Sequence, residues 1–409
     1  MRAFVDAAHA LGLAVIVDVV LHHGAPEGNA LWEFDGWGPG WAHGGIYHEN
    51  APDTEWGRQF AFWKGEIIDM VTAACAMWLG EYRVDGLRFD SANDLPGHSV
   101  QAMTWALRSQ YPGRLLTAEI TPEDPRGVHE LGFDALWVHS GYFDIIQQHK
   151  ALGRGHHGGG DWAAGWDLPR LRTAMGLHPG FTAPTQCIKY MLGSHDQVGC
   201  RHGGKWYADY QMIGGQHRYA VDQFGGGRHD PHASAAARCW WAANVAAAGL
   251  PMMFMGTEAA QSGWWDTDAW HGMQWGNTED EAGRAMMAAV RGANALRASL
   301  PALRRGRASQ LHEDRPNGVM AYERVADGED EPRVVVVVNA GRGYWQGSEY
   351  GVWVGGTGTM EEVYCSQSPE YGAVGGHHSN AGAPLQIHDG RIWLNLPPCC
   401  TMYFVHTSV

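Results

Sequence analysis

Four short polar strings carry the side chains that could do chemistry: Asp18-Val-Val-Leu-His22-His23, Gly86-Leu-Arg88-Phe-Asp90, Thr117-Ala-Glu119 and Gly193-Ser-His195-Asp196-Gln197. Taken singly, each has an ordinary structural reading. Asp18 could cap a strand, Arg88 and Asp90 could form a surface salt bridge, Glu119 could open a loop, and His195-Asp196 could be a turn. Each string, however, closes an apolar run that reads as a strand. Three carboxylates (Asp90, Glu119, Asp196) and Arg88 in one pocket would be a costly electrostatic arrangement, retained where chemistry uses it. The chemistry that needs such a set is glycosidic bond cleavage. One carboxylate attacks the anomeric carbon, and a second, kept protonated, donates to the leaving oxygen. Arg88, two residues before Asp90 and so on the same strand face, would hold a nucleophilic Asp90 ionised and aimed. Glu119 is the candidate acid/base, its pKa raised by the crowding of Asp90 and Asp196. Asp196 would grip sugar hydroxyls and steady oxocarbenium-like charge, and His23 and His195 would hydrogen-bond hydroxyls of the same ring.

Such residues meet only if the elements between them bring the strand ends to one mouth. The chain opens with a helix carrying Phe4, Ala7, Ala8 and Leu11 on one face, a Gly12 cap, and an apolar strand from Leu13 to Val20. Helix then strand recurs: Trp56 to Leu79 before Val84 to Asp90, Val100 to Arg108 before Arg114 to Glu119, and Gly127 to Leu131 before Phe133 to His139. A strand at Cys187 to Gly193 follows a Gly- and His-rich insertion. Ala233 to Ala248 then leads to Pro251 to Gly256, and Glu281 to Leu300 is a final helix. Six strands alternating with helices and ending in polar residues are the grammar of a (β/α) barrel, whose chemistry sits at the C-terminal strand ends. The expected fold class is α/β, a (β/α)8-type TIM barrel lacking its first two strands. After about residue 305 short strands separated by Gly/Asn/Asp turns predict an all-β sandwich. The expected domains are 1–305, a partial catalytic barrel, and 306–409, a C-terminal β-sandwich.

Composition narrows the classes further. The 409 residues are 45% hydrophobic and 18% charged with a net charge of −15, which suits a folded soluble protein and argues against nucleic acid or an anionic membrane as partner. The longest apolar runs are too short to span a bilayer, and the N-terminal stretch, which carries Asp6, does not read as a signal peptide. Seven scattered cysteines without C-x-x-C spacing fit reduced thiols in an intracellular compartment rather than a zinc site. The segment Gly153-Arg-Gly-His-His-Gly-Gly-Gly160 reads as a flexible insertion, since it lacks a Lys and does not open a helix after a strand. Its histidines lack metal-ligand spacing. Of the 20 Trp, most read as core, and a minority as flat apolar platforms suited to sugar-ring faces.

The four strings resemble, in order, the four signature regions of the α-amylase superfamily (glycoside hydrolase family 13). The resemblance implies a retaining mechanism on α-glucosidic bonds, with Asp90 as nucleophile, Glu119 as acid/base and Asp196 as transition-state carboxylate. Asp18, His23, Arg88 and His195 match the supporting substrate-binding set. No cofactor is implied, and the partner would be an α-glucan such as starch, glycogen or maltooligosaccharides. Ser194-His195-Asp196-Gln197, Phe254-Met-Gly-Thr-Glu258 with Trp264-Trp-Asp266, and the stretch Glu362 to Gly372 followed by Pro397-Pro398 resemble glycogen and starch (1,4-α-glucan) branching enzymes in particular.

Departures keep alternatives open. His22 replaces an Asn that ligates calcium in many amylases, so no metal is expected there. Ser91-Ala92-Asn93-Asp94 replaces the Lys-His that often follows the nucleophile, and Ile120 stands where branching enzymes carry an acidic residue. The Tyr that stacks on the cleaved sugar comes from an earlier part of the family barrel, and the chain reads as N-terminally incomplete. His195-Asp-Gln-Val-Gly199 also resembles maltooligosyltrehalose trehalohydrolases. Branching is favoured over hydrolysis, with a non-catalytic glucan-binding remnant as the third reading. A branching enzyme would be cytoplasmic in a bacterium and plastidic in a plant or alga.

Overall fold

A computed structural model describes the chain except for residues 37–42, 55, 154–164, 200, 203–204, 207–217, 269, 327, 329–330, 374–379 and 408–409. The Gly153-to-Gly160 insertion therefore lies, from 154 on, outside the described residues. The chain divides into two compact units, Met1–Trp137 and Val138–Val409.

The first unit is built on parallel strands in the order β1 (Ile16–Val19), β2 (Gly86–Phe89), β3 (Leu115–Ala118) and β4 (Ala135–Val138). Helices α1 (Arg2–Ala10), α2 (Gly65–Gly80) and α3 (Gly97–Gln110) precede β1, β2 and β3. In β2, Leu87 and Phe89 are fully buried, and Arg88 and the residue two on, Asp90, share the opposite face. Register does the positioning. Asp18 lies opposite Arg88, and Arg88 opposite Thr117. Asp90 and Glu119, each two residues further on, extend the same face by one row.

Two expectations are corrected here. The helix expected from Trp56 begins only at Gly65. Before it, Asp53–Thr54 pairs with Gly57–Arg58 as a hairpin, closed by the Thr54 hydroxyl donating to Gly57 O at 2.6 Å. Gly57 takes φ +135, a backbone state that no helix contains. In α1 the buried residue is Val5, while Phe4 and Leu11 are exposed. The helix is oriented by its polar anchors, Arg2 to Glu81 at 2.9 Å and His9 to Asp85 at 2.8 Å.

The second unit begins with α4 (Ser140–Gly153) and α5 (Leu168–Met175), followed by the parallel pair β5 (Cys187–Lys189) and β6 (Leu250–Pro251). The strand expected at Pro251 to Gly256 is confined to these two residues. Pro251 lacks an N–H for the ladder, and Gly256 turns the chain at φ +88. Helices α6 (Pro231–Ala246) and α7 (Glu281–Ser299) complete the helical part. Among the described residues six parallel strands alternate with helices, the pattern of a (β/α)8-type barrel.

The remainder is all β. One sheet runs β7 (Arg307–Asp314), β8 (Val319–Val325), β9 (Val334–Asn339), β14 (Cys400–Thr407), β11 (Thr359–Cys365), β12 (Leu385–Gln386). A second pairs β10 (Trp345–Trp353) with β13 (Arg391–Leu396). Val335, Val337, Val352, Ile392, Leu394, Met402 and Phe404 fill the core of this sandwich. Strand β7 has no counterpart in the sequence reading because its half-exposed residues, Arg-Ala-Ser-Gln-Leu-His-Glu-Asp, form no apolar run. The five consecutive buried valines of β9 need cover on both faces. The second cover is α6, buried on nearly all sides and rich in Ala, which lets it approach closely. Polar ties cross this contact. Tyr403 donates its hydroxyl to Ala242 O, Thr401 donates to Cys239 O at 2.9 Å, and Arg324 donates to Ala246 O at 2.5 Å and to Gly306 O at 2.7 Å. Burial pushes the Arg324 guanidinium down to about 10.

Arg324→Met keeps the aliphatic stem but removes both donors. It is expected to lower the unfolding free energy by about 2–4 kcal/mol, read as a lower urea midpoint with unchanged slope. Arg304→Met, at an exposed position, should move stability by less than about 0.5 kcal/mol. Equal midpoints for the two variants would show that the Arg324 guanidinium does not tie α6 to the sheet.

Candidate active site

In the first unit three of the seven candidate residues converge on the guanidinium of a fourth, Arg88. Arg88, 3% exposed, donates through Nη1 to both oxygens of Asp18 at 2.7 Å and to Asp90 Oδ1 at 2.5 Å. Its Nη2 donates to Glu119 Oε2. The register of β1, β2 and β3 explains the meeting, since neighbouring parallel strands present these positions side by side on one face. Backbone bonds carry the alignment past the strand ends: Asp90 N to Val19 O at 3.0 Å, Glu119 N to Phe89 O at 2.9 Å, and Ala92 N to Glu119 O at 2.8 Å. Ser91, at φ +40, turns the chain away directly after Asp90, a left-handed conformation that is costly for a residue other than glycine. The Ser91-Ala92-Asn93-Asp94 departure thus forms a short 3-10 turn at 92–94, and Asn93 Oδ1 accepts from Thr121 N at 3.1 Å.

Burial alone would push the Asp90 carboxyl up. A hydrogen bond from His22 and the charge and hydrogen bonding of Arg88 outweigh it and hold the group down at about 2. Burial works against the Arg88 charge too, and the charges of Glu119 and Asp18, the Asp18 hydrogen bond and the Asp90 charge outweigh it, holding the guanidinium above its ordinary value. Asp90 in this protein is an anion at any physiological pH.

Two neighbours escaped the sequence reading. His22, taken as a departure from the usual Asn, is 3% exposed and places Nε2 3.4 Å from Asp90 Oδ2. Trp137 lies under Arg88, with the guanidinium carbon 4.1 Å from its ring centroid, a cation–π contact. Its place near the end of the next strand was the available signal. His23 stands beside His22, ring centroids 4.4 Å apart, and its Nδ1 donates to Gly24 O at 2.8 Å.

His195 and Asp196 belong to the second unit. They occupy the start of the one-turn helix His195–Val198, with Nε2 of His195 3.2 Å from Asp196 Oδ1. Ser194 and Gln197 around them form a capping box. Asp196 N donates to Ser194 Oγ at 3.3 Å, and Gln197 Oε1 accepts from Ser194 N at 3.0 Å and from Ser194 Oγ at 2.7 Å. In the Ser-His-Asp-Gln string the outer pair therefore shapes the turn and leaves the inner pair, each partly exposed, for other work.

Comparison with known proteins shows what the chain is similar to. Residues 311–407 match the family described as Alpha amylase, C-terminal all-beta domain. The 1,4-alpha-glucan branching enzyme GlgB of Rhodopseudomonas palustris is 24% identical over 98% of this chain and 56% of its own length. The malto-oligosyltrehalose trehalohydrolase of Deinococcus radiodurans is 27% identical over 50% of this chain and 36% of its own. Among solved structures, the α-amylase of Geobacillus thermoleovorans complexed with acarbose has a TM-score of 0.69 at 17% identity, covering 100% of this chain and 80% of that one. A pullulanase from Anoxybacillus sp. complexed with maltotetraose also has a TM-score of 0.69, at 16% identity, covering 99% and 56%. The structural likenesses establish the fold, a TIM-type barrel followed by a β-sandwich. The matched C-terminal domain and the relatives at 24–27% identity make the chain similar to members of the α-amylase superfamily, glycoside hydrolase family 13. It is similar to branching enzymes over nearly its whole length, and it spans little more than half the length of those it matches.

Arg88→Lys would replace a fork serving three carboxylates by a single ammonium. The Asp90 carboxyl is expected to rise from about 2 by about one unit or more, measured by 13C NMR titration. A depressed pKa contributes stability that is present above the unfolded value and lost as pH falls through the folded one. The wild-type contribution should therefore vanish between about pH 4 and about pH 2, and the variant should lose less in that window. An unchanged Asp90 titration would remove Arg88 as the group that sets its charge.

Proposed function

We propose that this chain carries the catalytic groups of a retaining α-glucan-active enzyme, and that its reaction is 1,4-α-glucan branching. In this reading residues 1–305 are the partial catalytic barrel and 306–409 the C-terminal β-sandwich. The observation that carries it is the single guanidinium shared by Asp90 and Glu119. Neighbouring nitrogens of one group hold both carboxylates, which suits the separation of about 5–5.5 Å in a retaining pair rather than the wider gap that an attacking water needs.

Asp90, already ionised, attacks the anomeric carbon of a bound glucosyl unit, and the bond to the leaving oxygen breaks as Glu119 delivers its proton there. A covalent glucosyl-Asp90 results. Glu119, now a base, takes the proton from an incoming hydroxyl, whose oxygen attacks the same carbon and expels Asp90. Glu119 accepts from Arg88 in the structure, which favours its charged form. It must be protonated to act as the acid, so arriving substrate has to loosen that contact. In the same reading Asp18, Arg88 and His23 support the bound sugar, and His195 and Asp196 are assigned to substrate binding and charge stabilisation, as the family resemblance implies.

A 6-hydroxyl of another α-glucan chain as acceptor makes an α-1,6 branch, and water makes a hydrolase. The likeness to branching enzymes over nearly the whole chain supports the first. The trehalohydrolase likeness over half of it supports the second. A polymeric α-glucan partner and an intracellular setting accompany the branching reading. Among the described residues no helix is long and apolar enough to cross a membrane.

With amylose as substrate and iodine as reporter, branching is expected to shift the colour with little new reducing sugar. Reducing ends that rise in step with colour loss would assign hydrolysis instead. Asp90→Asn and Glu119→Gln should each lower the rate by about 10²–10⁴-fold or more, and a variant at full rate would remove that residue from the mechanism.

A further inference from the structure

The ribbon of β10 and β13 buries one face and exposes the other. Val352, Ile392 and Leu394 point into the sandwich and are fully buried. Period-two alternation then calls for polar residues at the outward positions. Two of them are tryptophans: Trp353 is 43% and Trp393 48% exposed. Pairing sets Trp353 opposite Arg391 and Gly351 opposite Trp393, so these four residues share one outward patch.

Each indole lies against a glycine. A methyl group on Gly351 would stand 3.1–3.2 Å from Cη2, Cζ2 and Cζ3 of Trp393, and one on Gly390 would stand 2.7 Å from Cη2 and Cζ3 of Trp353. Near-equal distances to several ring atoms place the glycine beneath the ring face rather than at its edge. One face of each ring is therefore taken up by the backbone, while about half of each side chain stays exposed. Arg391 donates to Gly351 O at 3.2 Å, with its guanidinium carbon 5.8 Å from the Trp353 ring centroid. No hydrogen bond among the described residues engages either indole N–H.

We propose that Trp353 and Trp393 form a binding platform for α-glucan chains on the β-sandwich, separate from the catalytic residues. The inference rests on the α-glucan reading above and adds a second contact with that polymer. The C–H face of a pyranose ring carries slight positive charge and meets the negative face of an indole. The Arg391 guanidinium and the indole N–H groups supply donors for ring hydroxyls. Nucleobases also stack on such platforms, but a polyanion needs several phosphate-neutralising cations, and this patch has one, on a chain of net charge −15. A protein partner needs about 800 Å² a side, whereas Ser348 and Glu349, exposed along the same ribbon, make the surroundings polar.

The test is native affinity electrophoresis of the 409-residue chain in gels containing soluble amylose. The double variant Trp353→Ala/Trp393→Ala is expected to weaken retardation by about tenfold, with an unchanged unfolding midpoint because both side chains are exposed. The Trp→Phe pair keeps flat rings and should retain most of the binding. Gly351→Val keeps both tryptophans in the sequence but displaces the Trp393 ring from its seat, and should weaken retardation several-fold. Wild-type retardation in the double variant, or none in the wild-type chain, would overturn the platform. Activity on amylose, assayed on the same proteins, separates the two readings. A chain that is retarded through the two tryptophans yet never acts on glucan defeats the catalytic reading alone. A chain that acts on glucan while the double variant still binds defeats the platform alone.

Discussion

The first unit depends on one buried cation. Arg88 is 3% exposed and donates to carboxylates from three places in the sequence: Asp18 after β1 begins, Asp90 just past β2, and Glu119 just past β3. A guanidinium removed from water is costly unless its donors are satisfied by charge in good geometry. Three carboxylates around one guanidinium meet that condition. One carboxylate, Asp90, is held ionised by Arg88 and His22 together, and the others share what remains of the positive charge. The Trp137 ring covers the flat side of the guanidinium, closing off the direction from which water would screen it.

The other features of the site serve that placement. Parallel register sets the rows of side chains, and backbone bonds from Asp90 to Val19 and from Glu119 to Phe89 prolong the register beyond the formal strand ends. The left-handed Ser91 then turns the chain directly after Asp90. In the second unit the Ser194–Gln197 capping box performs the same service for His195 and Asp196. It fixes a one-turn helix too short to be stable through its own hydrogen bonds.

The second unit shows how an apolar strand pattern can be resolved twice. The valine run of β9 is buried on one face in the sandwich and on the other beneath α6, and Arg324, Thr401 and Tyr403 satisfy carbonyls of that helix or its end. The β10–β13 ribbon is the opposite case: among the described residues its inward side chains are buried while Trp353 and Trp393 on the outward face stay about half exposed.

Much of this was legible in the residues themselves. Strand periodicity located β1 to β4, and the polar residues ending those strands identified Asp18, Arg88, Asp90 and Glu119, because apolar runs that stop at charged residues are a local pattern. The helix expected from Trp56 was not so legible, since the hairpin at 53–58 depends on the backbone state of Gly57 and on a hydroxyl contact that composition does not show. His22 looked like a departure from a metal ligand, and only the fold places its ring against Asp90. Trp137 looked like core and proves to be the floor beneath Arg88. Residue types and spacing thus determined which groups are available and which face of its own strand each one occupies. The tertiary structure decided that one arginine would answer three carboxylates, because interstrand register is a relation between distant segments and no single segment contains it.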